Sequence, residues 1–367
     1  MADLATTVTV IDACGRAHVP VLLLSDPGVG KSSLVRGIAA TEGLPCETVL
    51  GSIREPADVA GLPIISADGA VLDPPAWAKR LAEAEAGYLF LDELTTCPPA
   101  VQAAMLAVAL DRTVGDLRLP PGVRVVAGAN PPDRAADGWE ISPPLANRFC
   151  HLTYAPTVDE WLDGMTAGWS TPPASRAVAS DPIRRAAMVA TVTGFVRTRP
   201  DLLHVFPGSA AATGGAWPSR RVWDMLARSL AHVREDDHGA VQAVTFGLVG
   251  EGAGVEYLTW RQQADLPDPA AVVADPSIVT WEDRPDRVWA VLSGVVGWAV
   301  ARGTAEAWRE AWGPLLAAAE HGAPDVAAAA ARTLGRARPA KAAVPASVRK
   351  HFQPILVAAG LTEAGAA

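Results

Sequence analysis

The stretch that decides the fold of this chain is Ser25-Asp26-Pro27-Gly28-Val29-Gly30-Lys31-Ser32-Ser33. The apolar residues 19–24 precede it and have the length of a buried parallel strand, and residues 34–40 follow it with apolar side chains at helical spacing. A strand, a glycine-rich turn, Lys-Ser and a helix form the context in which a phosphate-binding loop occurs. The sequence therefore predicts that residues 25–33 bind the phosphates of ATP or GTP.

Each residue type in this loop suits the binding of phosphate. Gly28 and Gly30 allow the backbone to curl so that successive N–H groups face one anion, and a helix beginning near Ser32 adds the positive end of its dipole. We expect the Lys31 ammonium to reach the β- and γ-phosphates and the Ser32 hydroxyl to bind Mg²⁺. The loop residues predicted to bind the nucleotide are Asp26, Pro27, Gly28, Val29, Gly30, Lys31, Ser32 and Ser33.

Ser25 departs from the complete motif, which begins with a glycine. A small side chain is compatible with the turn, so the prediction of nucleotide binding stands. The alternative is an ordinary turn between a strand and a helix that happens to contain Gly-Val-Gly-Lys. The residues downstream decide between the two interpretations.

A second stretch, Gly87-Tyr88-Leu89-Phe90-Leu91-Asp92-Glu93-Leu94, is an apolar strand that ends in two adjacent carboxylates. Ligands bind beyond the carboxyl ends of strands in a parallel sheet, so both carboxylates should emerge beside the phosphate loop. Asp92 suits the binding of Mg²⁺ and thereby of the nucleotide, and Glu93 is placed to polarise the attacking water as a general base. An ordinary strand end is the alternative, and the upstream phosphate loop argues against it.

Two further polar residues follow predicted elements of the same layer. The apolar strand 123–129 ends in Asn130, which could hydrogen-bond the attacking water or the γ-phosphate. A short helix within residues 142–149 brings Arg148 directly before a fifth predicted strand, 149–153. Arginine is the residue type that stabilises charge developing on a transferring phosphoryl group.

The composition limits the class of protein. A chain of 367 residues accommodates roughly two or three domains and a sizeable core. With 50% hydrophobic residues, 19% charged residues and a net charge of −9, the composition argues against the basic surface that tight nucleic-acid binding requires, although it leaves room for a local basic patch. We expect a soluble, cytoplasmic protein without a signal peptide or membrane span. The widely spaced cysteines predict reduced thiols rather than zinc ligands or disulfides: Cys14, Cys46, Cys97 and Cys150.

These motifs, in this order, resemble the AAA+ ATPases, and within them the MoxR-type group that includes the rubisco-activating and gas-vesicle-associated members. The resemblance covers residues 5–155 and rests on five stretches: Pro27–Ser32, Asp58–Pro63, Leu89–Glu93, Ala129–Pro131 and Leu145–Phe149. It implies an α/β P-loop NTPase (AAA+) fold with a parallel sheet core, a helical lid and a C-terminal helical extension. The family commonly has Gly at position 25 and often Asp at position 147, and the second difference says little about mechanism.

The resemblance also implies roles for residues outside the phosphate loop. Asn130 corresponds to the sensor-1 residue, and Arg148 to an arginine finger that acts on a neighbouring subunit. The hairpin predicted at residues 63–72, around the turn Ser66–Gly69, corresponds to the family's helix-2 insert, and residues 113–119 to its pre-sensor hairpin. From the residues alone, the first hairpin is either a surface decoration or a loop that faces a pore or substrate.

The expected lid occupies residues 156–262, after a nucleotide-binding domain at 1–155. Helices are predicted at 158–165, 182–196 and 220–233, with Ser219 as the N-cap of the last. By resemblance, Arg221 supplies sensor 2, with Arg220 as the alternative; a surface arginine without a special role is the other interpretation. Residues 241–260 are also expected to be helical.

The remaining residues, 263–367, form a predicted helical extension of uncertain role. A connector at 265–285 precedes helices at 287–302, 304–320, 324–334 and 347–360. Five tryptophans fall in this part: Trp281, Trp289, Trp298, Trp308 and Trp312. Tryptophans at such spacing fill a small helical core, and a surface that docks a partner is the alternative.

Taken with the resemblance, the sequence predicts an ATP- and Mg²⁺-dependent ATPase that remodels a partner protein. By resemblance, this partner is a client protein or an adaptor with a von Willebrand factor A domain. An arginine finger acting in trans implies a hexameric ring. Two alternatives stay open at this point: a nucleic-acid-stimulated motor on the same core, and a nucleotide-gated binding scaffold with little turnover.

Overall fold

The structure, a computed structural model, describes residues 3–66, 69–131, 141–282, 284–340 and 342–358. Strands and helices alternate up to residue 153, in this order: α1 (Leu4–Arg16), β1 (Val21–Leu24), α2 (Lys31–Thr41), β2 (Cys46–Leu50), α3 (Pro56–Ala60), β3 (Leu62–Ser66), β4 (Gly69–Asp73), α4 (Ala76–Ala84), β5 (Ala86–Asp92), α5 (Pro99–Asp111), β6 (Thr113–Val114), β7 (Leu117–Arg118), β8 (Gly122–Ala129), α6 (Pro143–Ala146) and β9 (Cys150–Thr153).

Helices make up the regular structure that follows. In chain order they are α7 (Val158–Ala167), α8 (Pro182–Thr198), α9 (Ala210–Thr213), α10 (Arg220–Leu230), α11 (His238–Val249), α12 (Glu251–Ala264), α13 (Pro269–Ala274), α14 (Pro285–Arg302), α15 (Ala305–Glu310), α16 (Trp312–Glu320), α17 (Pro324–Arg336) and α18 (Ala346–Ala358). None of the helices in the described ranges is both long enough and apolar enough to cross a lipid bilayer. The four cysteines are free thiols.

A five-stranded sheet forms the core of the α/β layer, with the strand order β2-β5-β8-β1-β9. Every pair of neighbouring strands is parallel, so the carboxyl ends of all five strands meet at one edge. Residues 88–91 of β5 are fully buried because helices cover both faces of the sheet, which explains their uninterrupted apolar sequence. The predicted α/β fold is confirmed.

The helix α1 runs through Gly15 and ends at Arg16, although glycine often marks the end of a helix. A Cβ atom on Gly15 would lie 2.6 Å from Cγ of Arg124. The Arg124 guanidinium pairs with the buried Asp12 of α1 at 2.9 Å and lies over the ring of Tyr88. This glycine therefore provides room for an arginine that crosses the helix, and it does not stop the helix.

Both predicted hairpins are present, and they contact each other. β3 pairs antiparallel with β4, and β6 with β7. The Leu72 N–H donates to the Asp116 carboxylate at 2.9 Å, and the Asp116 N–H donates to the Leu72 carbonyl at 3.2 Å. Gly115 has a φ of +58°, and a Cβ on it would lie 2.5 Å from the Leu72 carbonyl oxygen, so this turn requires glycine. The predicted turn residues Ala67 and Asp68 lie outside the described ranges.

The chain divides into two compact units, residues 1–179 with 204–254, and residues 180–203 with 255–367. In the second unit α8 packs along α14 through small residues. A Cβ on Gly297 would lie 2.6 Å from the Cβ of Ala186, and one on Gly194 would lie 2.7 Å from the Cβ of Ala290. The domain limits expected near residues 155 and 262 stay a prediction, and the compact units divide the chain differently.

The C-terminal helices differ from the prediction in detail. The connector 265–285 contains the short helix α13, and the single helix expected at 304–320 is two helices, α15 and α16. The break follows from Pro314, whose nitrogen has no hydrogen to donate to the carbonyl of Glu310. A short helix, α9, also lies between α8 and α10, where no helix was predicted. The predicted end of the last helix at Gly360 lies outside the described ranges.

Tryptophans form the centre of the second unit, as predicted. Trp308 and Trp312 are fully buried and meet edge to face, with their ring centroids 5.4 Å apart. The indole N–H of Trp308 donates to the Leu334 carbonyl at 2.7 Å. Trp281 and Trp298 are also buried in this cluster, and Trp289, which lies at its border, is only partly buried. The interpretation as a helical core is confirmed for four of the five residues.

Replacement of Trp308 by Ala should destabilise the second unit, because it leaves a cavity in the core and removes the hydrogen bond from the indole N–H to the Leu334 carbonyl. We expect the free energy of unfolding to fall by about 3–5 kcal/mol, measured by guanidinium denaturation of the full chain. Val300→Ala, at a residue of the same unit that is 51% exposed, serves as the control and should change it by less than about 0.5 kcal/mol. Equal effects of the two changes would contradict the assignment of the core.

Candidate functional site

The loop between β1 and α2 has the backbone that an anion site needs. Gly28 and Gly30 have φ values of +82° and +91°, and a Cβ placed on either would meet no atom of the described residues within 4 Å, apart from those of the glycine itself and its chain neighbours. The helix α2 begins at Lys31 directly after Gly30, and no side chain caps its N-terminus. The first backbone N–H groups of a helix have no acceptor within that helix. The concave loop thus presents donors, with the positive end of the helix dipole behind them.

Lys31 joins this loop to the neighbouring strand end. Its ammonium donates to the backbone carbonyls of Ser25 at 3.1 Å and Asp26 at 3.4 Å, and to Oδ1 of Asn130 at 2.7 Å. Burial lowers the pKa of Lys31, and the carboxylates of Asp92, Asp26 and Glu93 oppose this shift. A half-desolvated ammonium among oxygen atoms is a group that a phosphate oxygen can satisfy.

Asn130 is itself held in place by a residue that the sequence analysis did not single out. The hydroxyl of the buried Thr95 accepts a hydrogen bond from the Asn130 N–H at 3.3 Å and donates to the Asn130 carbonyl at 3.5 Å. Thr95 lies two residues after Glu93, and no motif distinguishes it there. Its contact with Asn130 depends on β5 and β8 being neighbours, which the sequence did not specify.

The two predicted carboxylates emerge at the same edge. Asp92 ends β5, and its Oδ1 accepts a hydrogen bond from the Glu93 N–H at 2.9 Å. Burial raises the pKa of Asp92, while the bond from Glu93 and the charge of Lys31 act in the opposite direction. Glu93 has a φ of +59°, a conformation that costs a residue other than glycine about 1–3 kcal/mol and is concentrated at functional sites.

Gly128 fixes the position of Asp92. A Cβ on this residue would lie 2.8 Å from Oδ1 of Asp92 and 2.9 Å from Cζ of Phe90. The Gly128 carbonyl also accepts a hydrogen bond from the Leu94 N–H at 2.9 Å, so the chain after β5 is tied to β8. Gly128 was predicted only as part of a strand. The need for glycine at this position arises from side chains of the neighbouring strand β5, so it leaves no local pattern in the sequence.

The donor set fits a magnesium–nucleotide complex. Hydroxyl and carboxylate oxygens, here those of Ser32 and Asp92, are the ligands that Mg²⁺ prefers, and this ion keeps several waters and substrate phosphates in its shell. Within the described ranges, Oδ2 of Asp92 has no protein donor. The same ranges contain no cluster of three or more His, Cys, Asp or Glu side chains that could hold a metal without a substrate.

Arg148 and Arg221 lie together in a different place from the Lys31 cluster. The pKa of Arg148 is lowered by burial and by the positive charge of Arg221, and the Arg148 guanidinium donates to the Pro144 carbonyl at 3.0 Å. Among the described residues, no hydrogen bond or ion pair connects either arginine to Lys31, Asp92 or Glu93. The structure thus brings together Lys31, Asn130, Asp92 and Glu93 in one group, and the two arginines in another.

Asn147 has a structural role that the sequence analysis did not foresee when it gave this position little weight. Its buried amide donates to the Trp217 carbonyl at 2.9 Å and accepts from the Ser219 hydroxyl at 2.6 Å. Ser219 caps α10 as predicted, since its hydroxyl accepts from the Val222 N–H at 3.3 Å. The residue before Arg148 therefore holds the first turn of the helix that carries Arg220 and Arg221.

Comparisons with known proteins agree with this geometry. Residues 20–149 match the family model of the AAA domain, dynein-related subfamily. Among solved structures, the chain is similar to that of a candidate ATPase from Cytophaga hutchinsonii, with 16% identity and a TM-score of 0.38 over 68% of this chain and 78% of that one. At this level the likeness says nothing about function. No curated protein matches the chain significantly. The sheet order, the loop after β1 and the family match together show that residues 20–149 are an AAA domain with a P-loop ATPase fold.

Proposed function

We propose that this chain hydrolyses ATP in the presence of Mg²⁺. The observation that carries the proposal is the hydrogen bond of 2.7 Å between the Lys31 ammonium and Oδ1 of Asn130, formed beside Asp92 and Glu93. It joins the phosphate loop to the end of β8 at the edge where β5 presents its carboxylates. A hydrogen bond with only a structural role would not need an open, glycine-lined loop in front of the ammonium.

The roles of the residues follow from their chemistry. Bound Mg²⁺ neutralises charge on the β- and γ-phosphate oxygens, and Ser32 and Asp92 would hold it. Lys31 exchanges its carbonyl partners for phosphate oxygens, together with the N–H groups of residues 28–33. Glu93 takes a proton from the attacking water, whose oxygen bonds to the γ-phosphorus while the bond from that phosphorus to the β–γ bridging oxygen breaks and ADP leaves. The Asn130 amide orients the attacking water. Asn130 then senses whether the γ-phosphate is present, through its bond to Lys31.

We infer that Arg148 and Arg221 act on the nucleotide of a neighbouring copy. They lie next to each other and are not connected to Lys31 of their own chain within the described residues. Between identical copies, a head-to-tail contact that supplies an arginine in trans repeats from copy to copy, and it closes into a ring when the rotation between copies allows closure. We therefore propose a hexameric ring, as the MoxR-type resemblance implies.

The proposed work of the ring is the remodelling of a partner protein. The hairpin β3–β4 supports this, because Leu62, Ile64 and Ile65 are exposed on it, Ile65 to 94%. Exposed apolar residues of this kind mark sites of protein contact. A client or adaptor with a von Willebrand factor A domain is the specific proposal. Stimulation of ATP hydrolysis by DNA or RNA, measured as phosphate release, would instead favour a nucleic-acid motor.

Glu93→Gln should separate binding from hydrolysis. The amide cannot accept the proton of the attacking water, so we expect phosphate release to fall by about 10²–10⁴-fold while a fluorescent ATP analogue still binds. Glu83→Gln, an exposed glutamate on α4, is the matched control and should hydrolyse ATP normally. Hydrolysis that survives in Glu93→Gln would contradict the assigned base, and a scaffold with little turnover would show no difference between the two variants.

Gly128→Ala tests the position of Asp92. The new methyl group would displace the Asp92 carboxylate, so we expect hydrolysis to fall roughly 10- to 100-fold and the Mg²⁺ concentration for half-maximal activity to rise. Gly313→Ala is the control, because a Cβ there meets no atom within 4 Å. Normal Mg²⁺ dependence of Gly128→Ala would show that Asp92 does not hold the metal.

Mixing two inactive variants tests whether Arg148 acts in trans. Lys31→Ala loses the phosphate contact and Arg148→Ala loses the charge supplied to a neighbour, so each alone should hydrolyse ATP at least about 10³-fold more slowly. In an equal mixture, about a quarter of the sites combine Lys31 with a neighbour's Arg148, and activity should return to that level. A mixture of Lys31→Ala with Glu93→Gln should stay inactive, because both residues serve the same chain's site. Absence of recovery in the first mixture would exclude the trans role.

A further inference from the structure

The helix α7 has an apolar face that the rest of the described chain does not cover. Val158, Trp161, Leu162 and Met165 recur at the spacing that places side chains in one stripe, and each is between 47% and 73% exposed. Gly164 is the only buried residue of this helix. Four large apolar side chains along one helix are the pattern of a segment that inserts into a groove. We call these four residues the α7 stripe.

The helix is well formed without a partner. The Thr157 hydroxyl accepts from the Glu160 N–H at 3.2 Å, and the Glu160 carboxylate accepts from the Thr157 N–H at 2.6 Å, which is a complete capping box. The ring of Trp169 lies against Gly164, at 2.5 Å from a Cβ placed there. These contacts hold the helix at its N-terminus and at Gly164, to one side of the stripe.

A cavity of about 540 Å³ near Arg148 has the complementary character. Its aromatic wall consists of Trp217, which meets the rings of His204 and Phe206 edge to face, and Phe206 is 60% exposed. The indole N–H of Trp217 has no hydrogen-bond partner among the described residues. Arg220 and Arg221 also line the cavity, and within the described part of the chain neither has a carboxylate partner. We call it the aromatic cavity.

The charges of the two surfaces are opposite. Besides its apolar stripe, α7 carries Asp159, Glu160 and Asp163, all exposed, and it has no basic residue. The aromatic cavity has two arginines at its border and Arg148 beside them. Tryptophan and arginine are also the residue types that dominate the energetic centre of protein interfaces. Asp159 lies three residues before Leu162 and therefore borders the stripe, whereas Glu160 and Asp163 face away from it. The apolar surfaces thus match directly, and Asp159 is the carboxylate placed to meet the arginines at the border of the cavity.

We propose that the α7 stripe of one copy of this chain docks into the aromatic cavity of a second copy. The two surfaces are different, so the contact is head-to-tail and repeats around a ring. The proposal rests on the proposed trans role of Arg148 and specifies the contact that would deliver it.

The position of α7 in the fold determines which parts of the two copies this contact would bring together. α7 follows β9, whose carboxyl end lies at the same edge as the phosphate loop, and the Tyr154 N–H donates to the Leu24 carbonyl at 2.9 Å. The segment after α7 returns to α2, the helix that follows the phosphate loop, because Pro172 lies 3.0 Å from a Cβ placed on Gly37 of α2. A copy that receives α7 in its aromatic cavity thus brings its own Arg148 toward the nucleotide edge of the copy that supplies α7.

Cysteine crosslinking of the full chain tests the pairing directly. In a Cys46→Ser background, since the other three cysteines are buried, Leu162→Cys and Phe206→Cys are prepared as separate proteins. They are mixed with Mg²⁺ and a non-hydrolysable ATP analogue and treated with a short bismaleimide. We expect a crosslinked dimer in the mixture and none in either protein alone. Val300→Cys, at a similarly exposed residue, replaces Leu162→Cys as the matched control and should give no dimer with Phe206→Cys.

The other outcomes would overturn the proposal. Dimers of Leu162→Cys with itself would mean that the stripe packs on another stripe. Assembly seen by light scattering without the mixed crosslink would exclude this docking and leave the proposed ring intact. A chain that hydrolyses ATP as a monomer would exclude both the docking and the trans role of Arg148. As a second measurement, Trp161→Ser should raise the protein concentration needed for assembly at least about tenfold.

Discussion

The arrangement at the carboxyl edge of the sheet depends on one hydrogen bond, from the buried Lys31 ammonium to the side-chain carbonyl of Asn130. A cation removed from water needs oxygen atoms around it, and the fold supplies three from two different strand ends. This is possible because β1 and β8 are parallel neighbours in register, with Leu24 opposite Ala129. Loops that follow these strands start side by side, so a lysine after one strand meets an amide after the other.

The carboxylates enter the same group through the next strand. β5 pairs with β8 on its other side, with Leu91 opposite Ala127, which brings Asp92 beside Gly128. Asp92 then sits in space that only glycine leaves open, and the turn at Glu93 is held by bonds from Thr96 to the Glu93 carbonyl. The order of the strands thus determines the site, because each of its side chains is held in place by the neighbouring strand.

Much of this was predictable from the sequence, because the decisive signals are local. The loop 25–33, the Asp92–Glu93 pair at a strand end and the Asn130 amide after another strand each lie within a few residues, and the family resemblance gave their order. Thr95, Gly128 and Asn147 were not predicted as parts of the site, since each acts through a partner that is distant in sequence. The role of Gly15 could not be predicted for the same reason, because it depends on Arg124, which is distant in sequence.

The second unit shows the same limit of prediction from sequence, here for the pairing of whole helices. Its helices were predicted individually from composition and periodicity, and the buried tryptophans followed from their spacing. The association of α8 with α14, more than eighty residues later, depends on glycines facing alanines across the two helices. Small residues at helical spacing occur in many helices of this alanine-rich chain, so the sequence did not show which two would pair.

The amide of Asn147 has a mechanical consequence. Both polar atoms of the amide are hydrogen-bonded, one to Trp217 and one to Ser219. The turn that carries Arg148 and the start of α10 are therefore joined and should move together. A carboxylate in its place would have no N–H to donate to the Trp217 carbonyl, so only the hydrogen bond from Ser219 would remain. A displacement of α10 would therefore move the turn that carries Arg148, because two parallel hydrogen bonds from one amide join that turn to the start of α10.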